Sequence, residues 1–600
     1  MAQKGKNTSQ SLNQNPLSEP ELIMVAKAGA GLRAQATGVA SASGADLGDL
    51  QAALQEAGAT ARLLFGDSEE RIMAAQAAMP QSGESREQLP DMSLFYRVEA
   101  PESALEGLCQ KLAACASVEA AYVKPPAYPS AEVIERGSAG GAPEGLLAEQ
   151  VLEEDEAINA MMPDTVEAPS QTPDFTALQL YLDAAPVGID ARYAWTQRGG
   201  RGFNVRIIDI EGGWNFAHED LRQNQGGVIG TNSQDPGWNN HGTAVVGEIG
   251  GDVNAFGVTG ICPDAHVRGV SIFGGLGTAG ALRQAADLLR PADIILIELH
   301  RPGPNSTGVG QVGFIPIEWW PDDYAAIRYA VNRGVVVISA AGNGGENLDA
   351  AIYNNKPNGF PNDWLNPFNR AQRDSGSVLV GAGAPPPGTN NQNHGPDRSR
   401  LGFSNYGAVL DAQGWGREVV TTGYGDLQGG SNRDLHYTRQ FSGTSSSAPI
   451  VVGAIGCVQG VLRAHGRIPL SPARARELLR RSGSPQTDAP GRPRSQRIGN
   501  RPNLRQLIPM ALQTRDWVGV QFTGQVPANA TRRWFTHSWP AHWHVTWQIV
   551  PTSPRPGGPQ IASEVQIERA SDSRITYWLT VRNLTNEVVN IEGRYAVHGW

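Results

Sequence analysis

The chain has 600 residues, with 49 Lys and Arg against 59 Asp and Glu and a formal charge of −10. That length exceeds one hydrophobic core and implies roughly two to four domains, and the acidic balance argues against an electrostatic nucleic-acid binder. Four scattered cysteines (Cys109, Cys115, Cys262 and Cys457) are too few for a disulfide framework and form no CxxC pair for zinc, so they read as structural thiols.

Residues 1–20 are polar and lack the apolar core of a secretory signal, which reads as a disordered tail. No run reaches the ~18–20 apolar residues of a membrane span. The most apolar stretch, Ala448 to Leu462, contains Gln459 and reads as a buried helix. The expectation is a cytoplasmic protein with no membrane span, with export by a signal-independent route left open.

Residues 21–126 carry a compact pattern. ELIMVAKA is a strand, Asp46 to Gly58 an amphipathic helix, and ARLLFG a second strand. After a polar excursion come the strand MSLFYRVEAP, the helix ESALEGLCQKLAAC and the strand VEAAYVKP. This β-α-β-β-α-β order predicts a ferredoxin-like α+β domain. Residues 127–177 then lose periodicity and include the acidic run Glu153 to Ala157, the composition of a flexible linker.

Across 178–511, near-continuous apolar runs alternate with helical segments. NVRIIDIE, HVRGVSI, ADIILIEL, GVVVISAAG and SVLVGAG read as strands covered on both faces, and DDYAAIRYAVNRG as a helix between them. The expectation is an α/β domain with an open, mostly parallel sheet and helices on both faces. Such sheets bind ligands beyond the carboxyl ends of their strands. Residues 512–600 change to strand-like segments separated by turns, such as HVTWQIVP, ASEVQIERA, ITYWLTVRNL and VVNIEGRYAVHGW, and predict a β-sandwich.

Four segments fall where the sheet rule directs attention. Asp209 closes NVRIIDIE, His241 opens the small-residue helix HGTAVVGEIGG, Asn343 follows the strand of VVVISAAGNGG, and Ser445 lies among the serines of FSGTSSSAP. Acyl transfer by serine needs a base for the hydroxyl proton and a carboxylate that orients the base. An amide donor at the developing oxyanion supplies a further ~3–4 kcal/mol. Each residue alone is an ordinary cap or turn residue; their joint occurrence is far more specific.

IIDIEGGW, NNHGTAVVG, SAAGNGG and FSGTSSSAP resemble the Asp, His, oxyanion-Asn and nucleophile motifs of subtilisin-like (S8) serine peptidases over roughly 180–505. The resemblance implies Asp209 as orienting carboxylate, His241 as general base and acid, and Asn343 as oxyanion donor. The family's nucleophile follows a Gly-Thr pair, which selects Ser445 over Ser442, Ser446 and Ser447. Ser446 stands where many relatives have Met, beside the proton relay and not part of it. The N-terminal domain is similar in layout to the family's inhibitor-type propeptides. That implies an intramolecular inhibitor whose tail, VKPPAYPS (Val123 to Ser130), enters the cleft.

The chain also departs from the family. Where many subtilisins carry Ser-Leu-Gly-Gly after the central strand, this chain has Glu298-Leu299-His300-Arg301, and losing Gly hinders close backbone approach. The resemblance puts Glu298, Leu299, His300 and Gly342 in the substrate-binding walls. Glu298, with Asp374 from RDSGSVLVGAG, is expected to favour basic residues on the acyl side of the cut, unless these carboxylates pair with Arg301 or Arg373. The insertion Gly303 to Asp323 brings Trp319 and Trp320, which wall the cleft or pack on the scaffold. No cofactor is expected; calcium is common in the family and so is left open, with no ligand assignable here. Trp534, Trp539, Trp543 and Trp547 read as sandwich core or, less readily, as a carbohydrate surface.

The resulting expectation is a serine endopeptidase acting on protein or peptide substrates, made as a zymogen and activated by processing. A sedolisin-like peptidase is disfavoured by HGT at 241–243 and by Asn343, since that family uses Glu as base and Asp at the oxyanion. The remaining alternative is a catalytically silent scaffold that acts through partner binding.

Overall fold

The structure is a computed structural model that describes residues 18–131 and 169–598, apart from 37, 67, 78–89, 224–225, 514–516, 554 and 556. Most of the expected tail (1–20) and linker (127–177) lies outside these residues. The flanks of that linker are structured. Tyr128–Pro129 forms a strand, and Phe175 and Gly257 exchange backbone hydrogen bonds across residues 173–175, with N···O of 2.7 Å from Phe175 N to Gly257 O and from Gly257 N to Pro173 O.

The N-terminal domain is a four-stranded antiparallel sheet ordered Thr60–Leu63, Phe95–Glu99, Glu21–Ala26, Val118–Lys124. This is the ferredoxin-like arrangement, with the helices Gly48–Glu56 and Leu105–Ala114 on one face. A hairpin, Leu32–Gln35 with Gly38–Ser41, and a helix at Glu69–Ala77 are additions that the polar intervening sequence did not signal. Alternation along Glu21–Ala26 explains why all six residues are buried. Leu22 and Met24 pack on Leu50, Leu54, Leu108 and Leu112 inside the domain. Ile23 and Val25 face the other way, into the core of the central domain.

The central domain is built on seven parallel strands ordered Ala412–Trp415, Val378–Gly383, Val336–Ala340, Ile294–Ile297, Arg206–Glu211, His266–Ser271, Val228–Ile229. The helices Pro236–Gly250 and Thr444–Ala464 cover one face, in a core with Ile207, Ile294 and Leu296. The helices Gly277–Leu288 and Pro321–Asn332 cover the other, with Ile208, Ile210, Ile295 and Ile297. The N-terminal domain docks on this second face, where Tyr122 meets Phe360 edge-on at 4.8 Å between centroids. Each large apolar side chain so buried contributes ~1.5–3 kcal/mol.

Strand periodicity then sorts the site. Ile207, Asp209 and Glu211 share the face that carries His241 and Ser445, as do Ile294, Leu296 and, just past its strand, Glu298. Thr444–Ala464 is long and apolar enough to cross a membrane, but it is the buried core helix on which the sheet packs. Trp319 is buried against Phe360 and Trp364, and Trp320 edge-on against Trp319, so both pack on the scaffold. The C-terminal region forms two three-stranded antiparallel sheets, with six strands between Trp517 and Val597 where four were read from sequence. Trp539 sits in the core between the sheets, with Trp534, Trp543 and Trp547 packed around it.

Candidate active site

Three elements deliver the reacting groups. Asp235 caps the helix Pro236–Gly250 by accepting from Trp238 N at 3.1 Å, and Pro236 occupies the first turn. This fixes His241 in the second turn, over the carboxyl end of Arg206–Glu211. Gly443, at φ 104°, turns the chain into the helix Thr444–Ala464, so that Ser445 sits in its first turn. Ser446 donates to Trp415 O at 2.8 Å and Ser447 to Gly443 O at 3.4 Å, the bonds of turn and helix-start residues.

The carboxylate that meets the histidine is Glu211, not Asp209. His241 Nδ1 lies 2.7 Å from Glu211 Oε2, whereas Asp209 Oδ2 accepts from Trp214 Nε1 at 2.8 Å. Asp209 and Glu211 project to the same side, and Glu211, one pleat nearer the strand's carboxyl end, reaches the imidazole. Gly212 and Gly213 let the chain leave at once: a Cβ on Gly212 would stand 2.4 Å from the Trp238 ring, and one on Gly213 2.6 Å from Ser233 O. That glycine pair after Glu211 is the signal the sequence offered for the carboxylate that meets His241.

Burial dominates the electrostatics. It pushes Glu211 up to about 8 and His241 down to about 4. Burial, with neighbouring Glu211 adding to it, holds Asp209 well above the usual carboxylate range. His241 Nε2 and Ser445 Oγ, the atoms between which a proton passes in acyl transfer, are both buried without a hydrogen-bond partner.

The cleft holds the chain's own residues 127–131. Tyr128–Pro129 pairs antiparallel with Leu299–Pro302, His300 opposite Tyr128 and Leu299 opposite Pro129. Ser130 N donates to Glu298 O at 3.2 Å. The Ser130 carbonyl then accepts from Asn343 Nδ2 at 2.7 Å and from Ser445 N at 3.2 Å. Those two donors form an oxyanion hole around a peptide carbonyl. Thr444 N and Oγ1, both 2.9 Å from Asn343 Oδ1, fix which way the amide points. Beyond the carbonyl, Gln311 Nε2 donates to Ala131 O at 2.8 Å, and Gln311 Oε1 accepts from Asn343 Nδ2 at 2.9 Å. Gln311 lies in the insertion, in a Gly-rich stretch with nothing in the sequence to mark it out.

The Subtilase family model matches residues 201–500. An intracellular serine protease of Paenibacillus polymyxa is 24% identical over 304 residues, 49% of this chain and 78% of that protein. Subtilisin BL of Lederbergia lenta is 29% identical over 269 residues, 44% of this chain and 78% of its own. Among solved structures, fervidolysin from Fervidobacterium pennivorans, described as a keratinolytic enzyme related to subtilisin, is 15% identical with a TM-score of 0.43. That comparison covers 97% of this chain and 70% of fervidolysin. The chain belongs to the subtilase family.

The remaining substrate-site expectations for this subtilase divide. Glu298 offers its backbone carbonyl to the tail, while its side chain is fully buried against Ser445. Burial, then the nearby charge of Asp209, holds that carboxyl well above the usual range. It is turned into the protein beside Ser445 and does not face the cleft where a basic substrate side chain would lie. Asp374 is outside the cleft altogether: Arg476 holds it at 2.8 and 2.6 Å, with Arg370 at 3.6 Å. Arg476 and Arg370 thus take up the carboxylate. Leu299 contributes backbone to the tail and its side chain to the scaffold core. Gly342, at φ 89°, supports the oxyanion loop by donating to Thr444 Oγ1 at 3.1 Å. His300 accepts from Asn343 N at 3.3 Å, bridging the two segments that flank Ser130. Burial pushes its imidazole down to about 3, so it stays neutral there.

Proposed function

We propose that this subtilase is a serine endopeptidase made as a zymogen, which cuts its own chain between Ser130 and Ala131. The supporting observation is the Ser130 carbonyl, paired in register on Leu299–Pro302 and bonded by both Asn343 Nδ2 and Ser445 N. A peptide so bound has its carbonyl carbon at the nucleophile and its leaving nitrogen toward Gln311. Ser445 Oγ attacks that carbon while its proton passes to His241 Nε2. Collapse of the tetrahedral adduct breaks the bond to Ala131 N, which takes the proton from His241, and water then hydrolyses the ester on Ser445. Glu211 holds the imidazole through Nδ1 and offsets its charge in the transition state.

His300 bears on side-chain choice at the residue before the cut. It fills space between the two walls where a Gly would leave a pocket, which favours a small residue such as Ser130. The silent-scaffold alternative gains no support, because no reacting group is missing.

The test is intact-mass analysis of the expressed chain beside its Ser445→Ala variant. The parent should lose residues 1–130 and label with a fluorophosphonate, and the variant should do neither. Processing or labelling that survives Ser445→Ala would refute the assignment. A parent that never cuts itself or casein, even after its N-terminal domain is removed by an added protease, would revive the scaffold alternative.

A further inference from the structure

Lys124, the last residue of Val118–Lys124, is an ammonium group with no solvent exposure. Its Nζ donates to Asp322, to Asp323 Oδ1 at 3.2 Å and to Thr278 Oγ1 at 3.1 Å, and it pairs with Glu21 Oε2 at 3.1 Å. Glu21 comes from the N-terminal domain; the other three belong to the central domain. Asp322 and Asp323 occupy the first turn of Pro321–Asn332, and Thr278 the first turn of Gly277–Leu288. Thr278 donates to Asp323, which turns its lone pairs toward Lys124 and toward Arg301 Nη2, 2.9 Å away.

Counting charge on the central domain alone, two buried carboxylates face one guanidinium, with Arg301 Nε 3.6 Å from Asp323 Oδ2. The N-terminal domain brings Lys124 together with Glu21, which Arg97 meets at 3.6 Å, so the central domain by itself keeps a net negative charge at this site. That negative charge attracts a cation that enters the site.

The position of Lys124 along the chain supplies the second half of the argument. It stands six residues before Ser130, whose carbonyl occupies the oxyanion hole. Between them the tail stays on the central domain: Pro125 O accepts from Arg301 Nη1, Ala127 is buried, and Tyr128–Pro129 adds to the Leu299–Pro302 strand. Six extended residues span about 20 Å. A peptide that follows the same path from the cleft brings its own residue at that position to Asp322 and Asp323.

Resting on the endopeptidase reading, we propose that Asp322, Asp323 and Thr278 form an ammonium subsite. It selects substrates with lysine as the seventh residue before the cut bond, once the N-terminal domain has left. Three acceptors around one point match the three protons of an ammonium group. A guanidinium is planar and larger, and Arg301 already fills the space beside the site, so lysine is preferred over arginine.

The test uses the full chain after processing, assayed on peptides extending at least seven residues before the cut and differing there in Lys, Arg or norleucine. A short peptide that ends before this position serves as control. The lysine peptide should show kcat/KM about tenfold above the norleucine and arginine peptides, and the lysine-to-norleucine ratio should fall to about one in Asp323→Asn. Should that variant fail to fold, Asp322→Asn serves, and the ratio in the parent stands without either. Equal rates for the three long peptides, with the short one hydrolysed, would overturn the subsite. Failure to hydrolyse any peptide would instead count against the endopeptidase reading on which it rests.

Discussion

Two centres in this molecule, one on each face of the central sheet, bury several carboxyl groups and neutralise them differently. Around Ser445, Asp209, Glu211 and Glu298 are fully buried, and burial raises all three. Their neighbours are imidazole, indole and hydroxyl groups, so protons carry the balance. On the opposite face of the sheet, Glu21, Asp322 and Asp323 are equally buried but surround Lys124 and Arg301. For Glu21, burial alone would raise the pKa, yet Lys124, Arg301 and Arg97 bring it down to about 2. Desolvation is common to both; the available partner decides. Protons gather where chemistry has to move them, and fixed cations gather where two domains have to be held in register.

The largest effect expected within this comparison is on the proton-balanced centre. Glu211→Gln should lower turnover by ~10³–10⁴-fold, because the orienting carboxylate is lost with the shape preserved. Asp209→Asn should cost no more than about tenfold, since Asp209 touches Trp214 and not the imidazole. Steady-state kinetics on the two variants decide the matter. An Asp209→Asn loss equal to that of Glu211→Gln would return the orienting role to Asp209.

Next comes the cation-balanced centre. Lys124→Met leaves Glu21, Asp322 and Asp323 facing Arg301 and Arg97, and removing one partner from a buried ion cluster typically costs about 3–5 kcal/mol. Denaturant unfolding of the full chain in a Ser445→Ala background should register that loss. Asp374→Asn, outside both centres, should cost less, because Asp374 is partly solvated where it meets Arg476. Equal losses would mean that Lys124 is not a special contact.

His300→Gly should have a smaller effect, confined to specificity. Removing the ring between the walls around Ser130 should raise kcat/KM for peptides with Leu or Phe before the cut by about tenfold relative to Ser, the scale of ~1–3 kcal/mol for a reshaped apolar pocket. An unchanged side-chain profile would show that His300 does not limit the site.

Sequence alone carried much of this architecture, because its signals are local. Apolar alternation in ELIMVAKA and VEAAYVKP identified the N-terminal sheet, and Gly443-Thr444 singled out Ser445. The choice between Asp209 and Glu211 was not local. Both lie two apart on one face of one strand, and only the position of His241, on a helix 30 residues on from Glu211, separates them. Lys124 read as an unremarkable strand end because its partners Asp322 and Asp323 stand 198 and 199 residues away. Asp374 was misassigned for the converse reason. It follows a basic stretch, but the arginine that claims it most closely, Arg476, arrives from a helix 102 residues further on.

Glu21 and Glu211, one from each centre, should also respond to pH in opposite directions, with the smallest effects of this series, since one titration leaves the other groups of its centre in place. Glu21 has a folded value of about 2 against an ordinary 4.5. Its stabilisation is therefore complete above pH 4.5 and lost as pH falls toward 2. Glu211, raised from 4.5 to about 8, behaves in the reverse sense. The folded chain binds its proton more tightly, so stability declines as pH climbs from 4.5 to about 8 and then levels. Asp323, which burial raises to about 6 against the pull of Lys124, adds to that decline up to pH 6 and not beyond. Unfolding midpoints of the Ser445→Ala chain, measured across pH with and without Glu21→Gln or Glu211→Gln, isolate each limb as a difference. Glu21→Gln should remove part of the acid limb alone, and Glu211→Gln part of the limb between 4.5 and 8. If both substitutions altered the same limb, the division between proton-balanced and cation-balanced centres would fail. If Glu211→Gln left the upper limb intact, the proton that neutralises the catalytic centre would have to reside on Asp209 or Glu298 instead.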